Sequence, residues 1–148
     1  MPNPRPPSGP DAGEADLPNP QTFETRVDGN GTAVVVDRVT GLTWQRDIDP
    51  TYYAEGDGQQ RCAEMSSQGY AGFHDWRLPS RIELVSLVDF TRVNPAIDTS
   101  AFPSAPSDYF WSSSPVNSTT PYAWCVAFDF GDTFSARVSD MGRVRCVR

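Results

Sequence analysis

Residues 74–84 read HDWRLPSRIEL, and the order of these side chains decides how the middle of the chain folds. Pro79 has no N–H and clashes with a preceding helical turn, so no helix runs through it. Ser80 and Glu83 stand at the S-x-x-E spacing of a capping box, in which each side chain accepts a backbone N–H of the other residue. The spacing predicts a helix over 81–90, RIELVSLVDF, burying either Ile82, Val85 and Val88 or Leu84, Leu87 and Val88. Trp76 brings a large apolar body and one N–H that needs an acceptor. Arg77 lies beside the acidic helix start, within reach of Asp75, Glu83 or a carboxylate of the acidic loop at 47–58. Trp76, Arg77, Ser80 and Glu83 are therefore expected to be framework, with Arg77 a half-buried brace held by carboxylates. His74 is the single histidine of the chain and is expected on a surface loop.

Outward from this stretch, QQRCAEMSSQ (59–68) reads as a short helix stopped by Gly69, a natural residue after a helix end. FETRV (23–27) and AVVVD (33–37) flank DGNGT, whose Asn30-Gly31 suits a hairpin turn requiring positive φ. A second turn, VTGL, leads into TWQ (43–45). Downstream, YFWSSS (109–114), YAWCVAFDF (122–130), TFSARV (133–138) and RVRCVR (143–148) read as an antiparallel meander. In 122–130, Tyr122, Trp124, Val126, Phe128 and Phe130 face one way and Ala123, Cys125 and Ala127 the other. The order is that of an α+β fold, two short helices packed on small antiparallel sheets. The length of 148 residues is one domain's worth of chain. Residues 21–148 form that domain, and 1–20, with seven prolines, read as a flexible linker or arm.

The formal charge is −7, and every basic residue is Arg. Such a balance disfavours nonspecific binding to nucleic acid or anionic lipid. No apolar run is long enough to insert in a membrane, and no signal peptide follows Met1. Cys62, Cys125 and Cys146 lack zinc spacing, and with one His a metal site is not expected. A bridge between Cys62 and Cys146 would staple the end of the chain to its first helix. Cys125, on the small-residue side of its strand, is then the odd one out, expected as a buried free thiol.

VTGLTWQ, GYAGFHDWRLPSRIELVSLVD, the Phe102-Pro103 pair, YFWSSS, AWCVAF and VRCVR occur in this order. Together they resemble the bacterial Lcl C-terminal domain family, named after a collagen-like surface adhesin, over about residues 33–148. The resemblance implies a C-type-lectin-like fold with the N- and C-terminal strands close together, and a Cys62–Cys146 disulfide. It also implies an extracytoplasmic setting, secreted, periplasmic or tethered to the cell surface. The adhesin binds sulfated polysaccharides as a trimer, so a glycan ligand and a homo-oligomer are expectations here too.

No catalytic constellation is visible. His74 has no second His, there is no GxSxG elbow, and formylglycine-generating chemistry would need two reactive cysteines. The calcium-binding sugar motifs of lectins, EPN or QPD with WND, are absent, and loop 47–58 lacks EF-hand spacing. No enzyme activity and no cofactor are expected. Surface recognition remains. Residues 133–148 carry Arg137, Arg143, Arg145 and Arg148 against Asp140 alone. Arg143 and Arg145 share a strand face opposite Val144 and Cys146. Tyr122, Phe134, Arg137, Arg143 and Arg145 are the candidate ligand-binding set, an anion-binding strip for acidic or sulfated glycans or a surface protein. The plainer alternative is a solvated edge strand that uses charge to avoid mispairing. A second functional class is a structural subunit of a surface assembly, its proline-rich arm contacting a neighbour.

Overall fold

Two aspartates shape the opening sheet. The Asp28 carboxylate accepts the N–H groups of Asn30 and Thr32, and the buried Asp37 carboxylate accepts those of Val39 and Thr40. Such Asx turns reverse the chain within a few residues. They join strands β1 (Phe23–Val27), β2 (Ala33–Asp37) and β3 (Thr43–Gln45) into an antiparallel sheet in that order. The chain is seen in a computed structural model that describes residues 20–148. The arm expected at 1–20 lies, Pro20 apart, outside the described residues.

Helix α1 spans Glu55–Gln68 and α2 Arg81–Val85; β4 (Tyr109–Pro115), β5 (Tyr122–Ala127) and β6 (Thr133–Arg137) form a second antiparallel sheet. The architecture is α+β, with two small three-stranded sheets and two short helices. α1 begins four residues before the expected start at 59. Gly56 and Gly58 disguise this, because glycine weakens helix propensity. Gly58 is nevertheless required: a Cβ there would come within 2.7 Å of the Val144 side chain. α2 stops at Val85, short of the expected 90. The Gln21 side-chain amide, from the far end of the sequence, donates to the carbonyls of Ser86 and Val88 and takes up groups a longer helix would use. Of the two apolar sets proposed for it, Leu84, Leu87 and Val88 are buried, and Ile82 is 77% exposed.

β5 ends at Ala127 rather than 130, because the Asp132 carbonyl accepts the Ala127 N–H in a turn that leaves Phe130 exposed. The largest departure is the last segment. Residues 142–148 do not extend the meander beside β6. They run as a strap between the two sheets, with Thr43 and Arg148 exchanging backbone hydrogen bonds on one edge and Arg77 and Val147 on the other. Further back, Arg143 bonds Tyr109 and Trp111 of β4. The strap thus places the end of the described chain beside β3, in the same sheet neighbourhood as β1.

The strap divides two apolar clusters. Val147 joins Val35, Trp44, Leu84, Phe102, Phe110 and Val126 on one side. Val144 and Cys146 join Cys62, Met65, Trp76, Trp111 and Cys125 on the other. Cys62 and Cys146 are bonded, with Cα atoms 5.6 Å apart, although they stand 84 positions apart in sequence. Cys125 is free and buried, and burial pushes its thiol up to about 12.

Replacing both Cys62 and Cys146 by Ser is expected to lower the unfolding free energy by about 4 kcal/mol, from loop-closure entropy, as measured by urea denaturation. Thiol counting on unreduced protein should find one reactive cysteine after denaturation and none in the native state at pH 8, since the buried Cys125 thiolate is disfavoured.

Candidate functional site

The dense polar motif at 74–84 is consumed by the fold. The Ser80 hydroxyl accepts the Glu83 N–H, and the Glu83 carboxylate accepts the Ser80 N–H at 2.8 Å. Both Glu83 oxygens also accept from Arg77, each at 2.7 Å. That fork, with the Ser80 N–H adding to it, holds the Glu83 carboxyl at about 2 despite partial burial. The Arg77 side chain is 50% exposed, so it braces the helix start as the half-buried residue expected, with Glu83 as the carboxylate that holds it. Asp75 does not pair with Arg77. It accepts from Arg148 Nε at 2.6 Å, which keeps its pKa low, and the Arg148 guanidinium lies 3.8 Å over the Phe73 ring. Trp76 is buried, and its Nε1–H donates to the Tyr70 carbonyl. His74 Nδ1 lies 2.7 Å from the Ser66 carbonyl. An oxygen that only accepts makes Nδ1 the protonated nitrogen, and the ring closes the end of α1.

The five candidate binding residues do not form one strip. Arg145 is 2% exposed. Its Nη1 donates to the Gln45 and Arg46 carbonyls, and its guanidinium lies 4.6 Å from the Phe102 ring centroid. Burial lowers its pKa to about 10, so it stays charged at neutral pH inside the core, out of a ligand's reach. Arg143 is committed as well, to Asp108, the Pro50 carbonyl and Tyr52, with its guanidinium over the Tyr52 ring. Phe134 stands opposite Cys125 in the β5–β6 register and packs edge-on against Tyr109, on the other sheet face from Arg137. Tyr122 and Arg137 do meet: they are directly opposite in register, the guanidinium 5.7 Å from the ring centroid.

Beside that pair lies a residue that the sequence did not single out. Arg81, the first residue of α2, places its guanidinium 4.6 Å from the centroid of Trp124. Trp124 and Tyr122 share one face of β5, so two arginine–aromatic pairs stand side by side there. Among the described residues, every other arginine holds a carboxylate or a carbonyl. The guanidinium groups of Arg81 and Arg137 hold neither. Arg81 and Trp124 line a shallow groove with Ser80, Ile82, Ser114 and Pro115, none of them acidic. A second groove, on the outer face of the first sheet, contains Arg26 and Arg148, but these are already neutralised by Glu24 and Asp75. Trp124 was legible as Tyr122's neighbour from the alternation of β5. Arg81 reaches it only because α2 packs across the sheet. No cluster of His, Cys, Asp and Glu able to hold a metal occurs among the described residues.

Two small sheets, a disulfide-stapled strap and an open arginine–aromatic face define a small α+β domain whose free polar groups point to surface contacts. The Lcl C-terminal domain model matches residues 33–148, and the chain belongs to that family. Membership suggests a surface-associated domain. The disulfide is consistent with an extracellular location; among the described residues, no helix is long and apolar enough to cross a membrane. No curated protein matches the chain.

Glu83→Gln is expected to remove an acid-sensitive part of the stability. The folded pKa of Glu83 lies below its ordinary 4.5, so its contribution is complete above that value and is lost as pH falls toward 2. Solvent at the exposed Arg77 end reduces its size. Melting curves at successive pH values should therefore show wild type and variant converging in acid. Arg145→Lys, which keeps the charge but loses the planar fork, should lower the unfolding free energy by about 2 kcal/mol, read by urea denaturation.

Proposed function

We propose that this domain is a non-enzymatic, extracytoplasmic recognition module that binds acidic ligands, glycans or a surface protein, beside Tyr122 and Trp124 at the start of β5. The observation that carries this is the pair of guanidinium groups, Arg81 and Arg137, that hold no acceptor among the described residues and lie each beside an aromatic ring of the same strand. In a chain of net charge −7, long-range attraction of anions is weak, and recognition rests on local geometry. A guanidinium beside an aromatic ring is held there by cation–π attraction and keeps N–H groups for bidentate contact with carboxylate or sulfate. Its planar fork also loses little freedom on binding, which favours affinity. The residues most suggestive of catalysis, His74, Asp75, Arg77 and Glu83, are bonded within the framework, which supports binding over turnover.

Retention of the full chain on immobilised acidic polysaccharides and on an acidic polypeptide, at low ionic strength, tests this. Binding should weaken steadily with added salt. Arg81→Ala and Arg137→Ala should each weaken it about tenfold, with melting temperatures close to wild type because neither guanidinium holds another residue's acceptor. Retention unchanged in the double variant would place recognition elsewhere.

A further inference from the structure

The neighbours of the two guanidinium groups distinguish between kinds of acidic ligand. Sugar-binding surfaces commonly offer the open face of an aromatic ring to the C–H face of a pyranose. Here each of the two rings on this face of β5 has a guanidinium beside it, Arg81 4.6 Å from the Trp124 centroid and Arg137 5.7 Å from that of Tyr122. The open side chains beside them include aliphatic ones as well as the exposed polar loop at 117–120. Ile82, next to Arg81, is 77% exposed, and Val116, whose N–H donates to the Tyr122 carbonyl, is 36% exposed. Pro115 lines the same groove as Arg81 and Ile82. Arginine, tryptophan and tyrosine flanked by aliphatic side chains are the composition of a protein-binding hot spot.

Spacing agrees with this. Tyr122 and Trp124 are two residues apart on β5, so the rings beside which the two guanidinium groups lie follow a repeat of about 7 Å, the distance between alternate side chains of any extended chain. An extended peptide lying on this face presents every second side chain to it. Carboxylates at positions i and i+2 follow that repeat, and the exposed Ile82 and Val116 offer apolar contacts to aliphatic residues flanking them.

We infer that the partner of this face is an extended acidic segment of a protein, with Asp or Glu at alternate positions and an aliphatic side chain at the next alternate position. This rests on the anion-recognition reading above and narrows it from acidic ligands in general to a polypeptide. Charge complementarity supplies the two anchors, the exposed aliphatic rim supplies the discrimination, and no strand of this domain has to open.

Three probes separate the possibilities, each titrated against the full chain by calorimetry or fluorescence anisotropy. The first is a short peptide with Glu at two alternate positions, Ser between and Leu at the outer alternate positions. The second replaces its Leu by Ser, and the third is dextran sulfate. The Leu peptide should bind about fivefold or more tighter than the Ser peptide, from partial burial of the aliphatic groups. Ile82→Ser, at an exposed position, should reduce that advantage, and Arg81→Ala with Arg137→Ala should abolish binding of both peptides. Moving the two Glu to adjacent positions should weaken the Leu peptide. If dextran sulfate binds through Arg81 and Arg137 while neither peptide does, the face reads a polysaccharide; the peptide inference falls and anion recognition stands. Equal affinities for the Leu and Ser peptides also overturn the inference. If no probe binds, the anion-recognition reading falls, and this inference with it.

Discussion

The rest of the domain depends on one constraint: the strap at 142–148 must lie between the two sheets with both of its edges and both of its faces occupied. Its backbone bonds β3 on one edge and the Arg77 segment on the other, and joins β4 further back. Its side chains alternate, as in any extended chain, so Val144 and Cys146 fill one cluster while Arg145 and Val147 enter the other. The disulfide to Cys62 ties the first face to α1. Gly58 lets the helix approach the strap as closely as Val144 demands. The two sheets share no strand, and this segment joins them.

Burying a guanidinium without a carboxylate is costly, and the arrangement around Arg145 shows how the cost is offset. Two backbone carbonyls accept from one of its nitrogens, and Phe102 and Phe110 present their rings to its face. Carbonyl dipoles and ring quadrupoles replace part of the hydration shell. The same chemistry recurs on the surface in looser form, at Arg148 over Phe73 and Arg143 over Tyr52, each with a carboxylate at its edge. Arginine is thus the principal polar fastener of this lysine-free chain. Arg81 and Arg137 keep the aromatic contact and lack the acceptor, which makes them the natural candidates for binding something outside the described chain.

Much of the local structure was legible beforehand, because it depends on neighbours within a few positions. The Ser80–Glu83 capping box, the glycine that ends α1, the hairpin turn around Gly31 and the alternation of β5 up to Ala127 are all short-range. Element ends were less legible where a distant group intervened, as when the Gln21 amide takes the carbonyls after α2. The candidate site was legible in half. Tyr122 and Arg137 are cross-strand partners within a meander, whereas Arg81 meets Trp124 through helix packing that no periodicity encodes.

The sequence alone therefore determined the composition of the fold: which segments turn, which alternate, where a helix is capped, and which family the strings resemble. It also placed Arg143 and Arg145 correctly on one face of the last segment. Only the tertiary structure decided what that face meets. A strand on the rim of a meander would have offered both arginines to solvent; a strap between two sheets turns the same face into a core, sending Arg145 inward and committing Arg143 to Asp108. Alternation assigns side chains to faces, but only the packing of both faces decides which of them is solvated, and in this domain that decision moved the open guanidinium groups from the end of the chain to Arg81 and Arg137.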